Sequence, residues 1–280
     1  MFFCYNSGMN VFTWQDIQNV YGKKEELPLL FRYGTALTVG SFDGPHKGHE
    51  LLFDAVIGAS KKRGYVPGVV TFAQSAAGKK THGIYDGDIA TLAQKLAVFE
   101  QKGFAFTVVI DFSSNFIKIE GHSFLSILAE ACRMKFIAEG QDFRCGYRGS
   151  VGMEEIVVFS EKNGIECCFP DSVMYNGIRI SSSLIRQCVL SCRFSDAAFM
   201  LGRPYMLDCS SFNWEQSGTG ISTARRNCIQ VVPPDGTYNS MAITPEEKIR
   251  TLFFTDGQIL RLALPFEKAP DLQAVEFISG

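Results

Sequence analysis

The sequence lacks the spacings on which metal and disulfide scaffolds are built. None of its nine cysteines forms a C-x-x-C pair, and no histidine stands at zinc-finger distance from one. An odd number of scattered thiols argues against a disulfide framework, so reduced, mostly buried cysteines of a cytosolic protein are the expectation. Cys188 and Cys192, four apart, are expected on one helix. Charge of one sign is lacking too. Lys+Arg number 27 and Asp+Glu 29, a net charge of −2. A general nucleic-acid binder carries a basic excess, so nucleic acid is not an expected partner. A single basic pocket for a phosphorylated small molecule is compatible with that balance. Long apolar runs are missing. The longest uncharged stretch of apolar character, 64–78, is broken by Pro67, Gln74 and Ser75, whereas a spanning helix needs about 20 mostly apolar residues. No Lys or Arg precedes Lys23, so the basic start of a secretory signal is absent and no membrane partner is expected. Met1 and Met9 are both candidate starts. There are no internal repeats and no low-complexity tracts.

What is present fits two domains. The chain has 280 residues, 46% apolar and 20% charged, enough apolar surface for a core. Strands are expected at 35–42, 66–72, 104–110, 135–139 and 164–169, and helices at 50–63, 89–102, 122–133 and 152–162. This alternation predicts an α/β domain with a doubly wound parallel sheet, whose ligands bind at the carboxyl ends of the strands. After 201–205 (LGRPY) the pattern changes. Short apolar runs at 206–212, 228–232, 237–243, 249–254, 258–264 and 273–279 predict a small β-barrel-like domain. The boundary is placed between residues 1–201 and 202–280.

Three stretches carry chemistry. At 43–49 the chain reads DGPHKGH between a strand and a helix. Gly44 and Gly48 allow close approach of the backbone to a ligand. The helix start offers N–H groups to an anion, and His46 and His49 are ring N–H donors for phosphoryl oxygens. The alternative is a turn with two solvated histidines. At 140–149 the chain reads GQDFRCGYRG, where Asp142, Arg144 and Arg148 supply an acceptor and two planar donors suited to phosphate. A polar surface loop is the competing account. At 180–186, ISSSLIR is expected as a strand end running into a helix. Ser181, Ser182 and Ser183 are either phosphate donors or plain helix caps, with Arg186 one turn on. GKKT at 78–81 lacks the Walker A glycine, position 73 being Ala73, and is taken as a basic surface loop. His82 and His122 are expected at the surface, and Trp14 and Trp214 in packing.

Together and in this order the motifs resemble the bacterial FAD synthetase family, usually bifunctional as riboflavin kinase and FMN adenylyltransferase. TVGSFDGPHKGH at 38–49, GQDFRCGYRG, ISSSLIR and LGRPY carry the resemblance, over about residues 30–206. It implies a Rossmann-like nucleotidyltransferase domain that turns FMN and ATP into FAD and diphosphate with Mg²⁺ held mainly by substrate phosphates. It implies catalytic roles for His46, His49 and Arg186. Ser41, Phe42, Asp43, Gly44, Gly48, Asp142, Arg144, Arg148, Ser181, Ser182 and Ser183 are implied as ATP- and phosphate-binding residues. Departures are visible. The loop at 71–80 (TFAQSAAGKK) has no proline where the family has F-x-P-x-P, Cys145 replaces Phe, and Ser41 stands where Asn is frequent. The kinase motif G-x-P-T-A-N reads GISTAR at 220–225, with Arg225 in the Asn position. Arginine has only donors and cannot ligate Mg²⁺. PPDGTY at 233–238 keeps the family pattern, and Glu276 is a candidate for the kinase carboxylate. The expectation is a transferase without riboflavin kinase activity. A transferase for another phosphorylated acceptor and a non-catalytic flavin or nucleotide sensor are the alternatives.

Overall fold

A computed structural model describes residues 8–74, 86–111, 114–218, 220–263 and 271–278. The stretch at 78–81, His82 and most of the 71–80 loop lie outside the described residues. The chain forms two compact units. One comprises Met1–Phe42, Gly48–Ala76 and Lys95–Val173; the other comprises Asp43–Lys47, Ala77–Gln94 and Met174–Gly280.

The first unit is built on β1 (Asn10–Thr13), β2 (Thr35–Val39), β3 (Val66–Phe72), β4 (Phe106–Ile110), β5 (Met134–Ala138) and β6 (Glu166–Cys168). All pairings are parallel, in the order β1-β4-β3-β2-β5-β6. Strand β2 (TALTV) is buried at all five positions, as a strand covered on both faces must be. The helices are α1 (Trp14–Tyr21), α2 (Lys47–Arg63), α3 (Leu92–Gln101), α4 (Ser114–Ile117), α5 (Gly121–Ala131) and α6 (Met153–Asn163); Lys47 and residues 92–94 belong to the second unit. Phe12, Phe31 and Phe106 meet with centroids 4.7–6.1 Å apart in the core, each ring contributing about 1.5–3 kcal/mol by burial. Trp14 packs edge-on to Phe116 at 5.5 Å. The parallel α/β sheet expected from the alternation is present.

In the second unit β7 (Met174–Tyr175) and β8 (Ile178–Arg179) form a hairpin, followed by α7 (Ser182–Leu190) and α8 (Phe194–Leu201). Seven antiparallel strands complete it: β9 (Met206–Asp208), β10 (Glu215–Ser217), β11 (Gly220–Ala224), β12 (Gly236–Ile243), β13 (Lys248–Thr255), β14 (Ile259–Leu262) and β15 (Ala274–Phe277). They run in the order β10-β11-β14-β13-β12-β15-β9. Among the described residues its end strands do not pair with each other, so the sheet is open where a barrel closes.

Several expectations are corrected. Residues 10–21 form a strand and a helix that the apolar pattern did not announce. The run 228–232 is not a strand; only Gln230 bridges, to Asp88. The strand expected to lead into Ser181 is the two-residue β8, outside the parallel sheet. Cys192 lies beyond the end of α7 with φ 58°, so Cys188 and Cys192 do not share a helix. The eight described cysteines are free thiols. No described helix is long and apolar enough to cross a membrane.

Candidate active site

In the first unit β2 is flanked by β3 on one side and β5 on the other. The strand order therefore reverses between β2 and β5, the place where open α/β sheets bind ligands beyond their carboxyl ends. Three side chains fix that edge. Glu139, 1% exposed, accepts the Val39 N–H through Oε1 at 2.7 Å and so ties the end of β5 to β2. Burial pushes its carboxyl well above the usual range, against the pull of that hydrogen bond. Lys95 Nζ donates to the carbonyls of Ser41 at 3.1 Å and Phe72 at 2.6 Å, closing the ends of β2 and β3. Phe42 is buried at φ 44°, a left-handed backbone uncommon for a bulky side chain. Its ring packs on Phe53 at 5.2 Å and meets the His49 ring edge-on at 5.0 Å and 89°. His49 is half-buried in the first turn of α2, one residue after Gly48.

The 140–149 loop belongs to the same unit. Asp142, Arg144 and Arg148 are exposed. The Arg144 guanidinium lies over Gly152, where a Cβ would come within 3.1 Å of it. Arg148 adopts φ 57° and sits 5.1 Å above the Tyr147 ring. Cys145 N donates to Val151 O at 2.9 Å, folding the loop back on itself.

In the second unit the loop Asp43–Lys47 gathers donors and cations. Gly44 stands at φ 60°, with Ile89 Cγ2 only 2.3 Å from where a Cβ would be, so both backbone and space require glycine there. Asp43 Oδ1 accepts from Ile89 N at 2.7 Å and Ala90 N at 3.3 Å, and Oδ2 accepts from Arg186 at 2.6 Å. Arg186 Nε also donates to Gly87 O at 2.8 Å. Ser182 Oγ donates to Asp43 O at 2.7 Å, while Ser181 caps α7 by accepting from Leu184 N at 3.2 Å. Ser183 is exposed. Burial and the neighbouring Asp88 push the Asp43 carboxyl up to about 6, against Arg186 and the two amides. Arg203 donates to Pro45 O at 2.6 Å, and Lys47 Nζ sits 3.6 Å over the Phe199 ring. His46 is buried. Desolvation, with smaller pushes from Arg203 and Arg179, lowers it to about 4, so the ring is neutral at pH 7.

The structure thus brings together Asp43, Gly44, His46, Ser181, Ser182 and Arg186 in the second unit. In the first it places Phe42 against His49, while Lys95 holds the Ser41 and Phe72 carbonyls and Glu139 the Val39 amide. Arg179, Arg203, Lys95 and Glu139 were not among the residues singled out from the sequence. The kinase-like positions in the C-terminal sheet are engaged internally. Thr223 Oγ1 accepts from Asn227 at 3.2 Å, Arg225 donates to Cys228 O at 3.3 Å, and Glu276 pairs with Lys248 at 3.0 Å.

A family model described as FAD synthetase matches residues 31–184. The bifunctional riboflavin kinase/FMN adenylyltransferase of Escherichia coli (strain K12) is 27% identical over 213 residues, 73% of this chain and 67% of that protein. The protein of the same description from Bacillus subtilis (strain 168) is 25% identical over 210 residues, 73% of this chain and 66% of that one. A crystal structure titled as a macrolide-efflux protein from Streptococcus pneumoniae superposes with a TM-score of 0.69 at 22% identity, covering 87% of this chain and 91% of that chain. At that identity it is a likeness of fold alone.

Proposed function

The chain belongs to the FAD synthetase family, and from that premise we propose that it transfers AMP from ATP to FMN, giving FAD and diphosphate, without phosphorylating riboflavin. An oxygen of the FMN phosphate attacks the α-phosphorus of ATP. The bond from that phosphorus to the bridging oxygen of the β-phosphate breaks, and diphosphate leaves. No enzyme nucleophile is required, so catalysis rests on positioning and charge stabilisation. The observation that carries this reading is the loop Asp43–Lys47, where Ser182, Arg186 and Arg203 converge on the residues around a neutral His46.

A neutral imidazole donates through one nitrogen without storing a charge, while the arginines supply the cations that a triphosphate needs. Arg186, oriented by Gly87 and Asp43, would hold the β- and γ-phosphates with Ser181, Ser182 and Ser183. His46 would donate to the transferred phosphate. In the first unit His49 is assigned as a phosphate donor, and Asp142, Arg144 and Arg148 as nucleotide-binding residues. Ser41 and Phe42 would shape the loop, and Gly44 and Gly48 would let the backbone approach the phosphates. Mg²⁺ fits as a passenger of the substrate. Both Asp43 oxygens already accept hydrogen bonds, and His, Ser and Arg side chains do not make the oxygen cage that a hard cation prefers. When bound, it would neutralise phosphate charge. The modules are residues 1–201 for transfer and 202–280 as a degenerate kinase domain, in a cytoplasmic enzyme.

The test is a chromatographic assay with ATP, Mg²⁺ and either FMN or riboflavin. FAD from FMN and no product from riboflavin is expected. FMN formed from riboflavin would refute the missing kinase activity, and no FAD from FMN would refute the transfer itself.

The pH profile carries a second prediction. Ionised Asp43 holds Arg186, and its carboxyl takes up a proton at about 6. Turnover is expected to fall as pH drops through about 6, while His46 at about 4 leaves no limb near neutrality. Stability moves the other way for this group. A folded-state pKa above the unfolded value makes the native state the stronger proton binder, so Asp43 favours folding more as pH falls through about 6 towards 3.8. A pH–rate series on the wild type and Asp43→Asn checks this. Retention of the limb at about 6 in the variant would remove Asp43 as its source.

A further inference from the structure

One short segment of the second unit, residues 87–90, is held from two directions. On one side it serves the transfer loop. Ile89 N and Ala90 N donate to Asp43, Gly87 O accepts from Arg186, and the Ile89 side chain lies against Gly44. On the other side it is held by the C-terminal sheet and the segment leading into it. Asp88 N donates to Ile229 O at 2.9 Å, and Val231 N donates to Asp88 O at 2.8 Å. Gly87 has φ 109°, and a Cβ there would lie 2.6 Å from the Gln230 carbonyl carbon. Only glycine lets the two backbones come so close.

Gln230 is the centre of this junction. It is 1% exposed. Its Oε1 accepts from Asp208 N at 2.7 Å. A backbone N–H can only donate, so this contact fixes which end of the amide is oxygen. Nε2 then donates to Ile89 O at 2.9 Å, Gln94 Oε1 at 3.0 Å and Met206 O at 3.0 Å, two amide hydrogens shared among three acceptors. One side chain therefore joins β9 to the segment that carries Ile89 and Ala90. Tyr205 reinforces the joint from its OH to Val231 O at 2.5 Å.

We propose that Gln230 is a positioning residue for adenylyl transfer. Through it the C-terminal sheet holds the 87–90 segment in the geometry that sets the Asp43–Arg186 pair. This gives a sheet with altered kinase motifs a function in the transfer reaction. The proposal rests on the reading of Asp43 and Arg186 as parts of the transfer site. The Gln230 side chain reaches the 87–90 segment at the Ile89 carbonyl. A displacement of about 1 Å at such a site costs up to ~10² in rate.

The experiment uses the full chain. Gln230→Leu keeps the bulk and removes every side-chain hydrogen bond. It is expected to lower kcat for FAD formation about 10–100-fold, with KM for FMN changing less. Its acid limb should move above the wild-type position, because loosened Ile89 and Ala90 amides no longer favour the Asp43 carboxylate. Hydrogen exchange across 87–90 should accelerate. Phe253→Leu, in the core of the same sheet, serves as the control for lost stability and should leave the limb and the exchange of 87–90 in place. Where Gln230→Leu does not fold, Gln230→Asn, shorter by one methylene, should show the same changes in smaller measure. Normal kcat with an unmoved limb in the Gln230 variants would overturn the proposal, as would equal changes in Phe253→Leu. A wild-type chain making no FAD would refute the transfer reading. The exchange measurement would then still decide whether Gln230 holds 87–90.

Discussion

Arg186→Ala is expected to lower turnover by ~10²–10³ and to destabilise the fold by about 3 kcal/mol. Under the proposed transfer reaction, the rate loss follows from removing a preorganised cation assigned to the departing diphosphate. The stability loss follows from Asp43. Its carboxyl is buried, and Arg186 is its ion-pair partner at 2.6 Å. Breaking a buried pair from one side costs about 3–5 kcal/mol because a buried charge remains. The lower end applies here. Asp43 keeps the Ile89 and Ala90 amides, and it already takes up a proton at about 6, so in the variant it escapes by protonation. Adding Asp43→Asn to Arg186→Ala should therefore return much of the stability and none of the rate. A double-mutant cycle by thermal unfolding and single-turnover kinetics separates the two effects. Arg186→Lys keeps the charge but cannot serve both Gly87 O and Asp43, which the planar fork reaches together; it should fall between wild type and alanine. Unchanged turnover in Arg186→Ala would end its catalytic assignment.

Much of the fold was legible because its strongest signals are local. The apolar runs at 66–72 and 104–110 lie where β3 and β4 form, and Gly103 stops α3 as the periodicity implies. The N-terminal β1 and α1 were missed although a signal existed. Thr13 and Asp16 make a capping box, with Thr13 N to Asp16 at 2.7 Å and Asp16 N back to Thr13 at 3.2 Å. T-x-x-D is its sequence mark. The β7–β8 hairpin was likewise announced by Asn176-Gly177, both at positive φ, the dipeptide that tight hairpins favour. Open or closed edges of the C-terminal sheet depend on long-range pairing, which no local pattern encodes.

The candidate site was legible as motifs and not as contacts. Asp43 and Arg186 were both singled out, yet no spacing pairs residues 143 positions apart. Lys95 had a signal that was passed over. It lies between Leu92 and Phe99 at helical spacing, a lysine on the buried stripe of α3, and a buried lysine needs acceptors. Glu139 had none, since a carboxylate after a strand reads as a loop residue until its burial is known. Gln230 sits in an apolar run that suggested a strand, and its proposed function as a junction arises from four partners on two distant stretches of chain, 89–94 and 206–208.

His49→Ala is expected to give a folded protein whose turnover is lower by ~10²–10³. The fold should survive because the side chain is half-buried and lies in the first turn of α2, where alanine is a good helix former. What is lost is a ring held in place by packing. The Phe42 edge contact at 5.0 Å and the Phe53 ring at 6.3 Å restrict the imidazole, and Phe42 itself is fixed at an uncommon backbone angle by the core behind it. A donor immobilised before substrate arrives stabilises developing charge without reorganising, which is why its removal acts on kcat more than on binding. Two further substitutions locate the donating nitrogen. Gln places an amide N–H near the position of Nε2, and Asn places one near Nδ1. Partial recovery in His49→Gln but not His49→Asn assigns donation to Nε2, and the reverse pattern assigns it to Nδ1. Near-normal turnover in His49→Ala, with helix content intact by circular dichroism, would leave the ring as a packing group for Phe42 and remove His49 from the reaction.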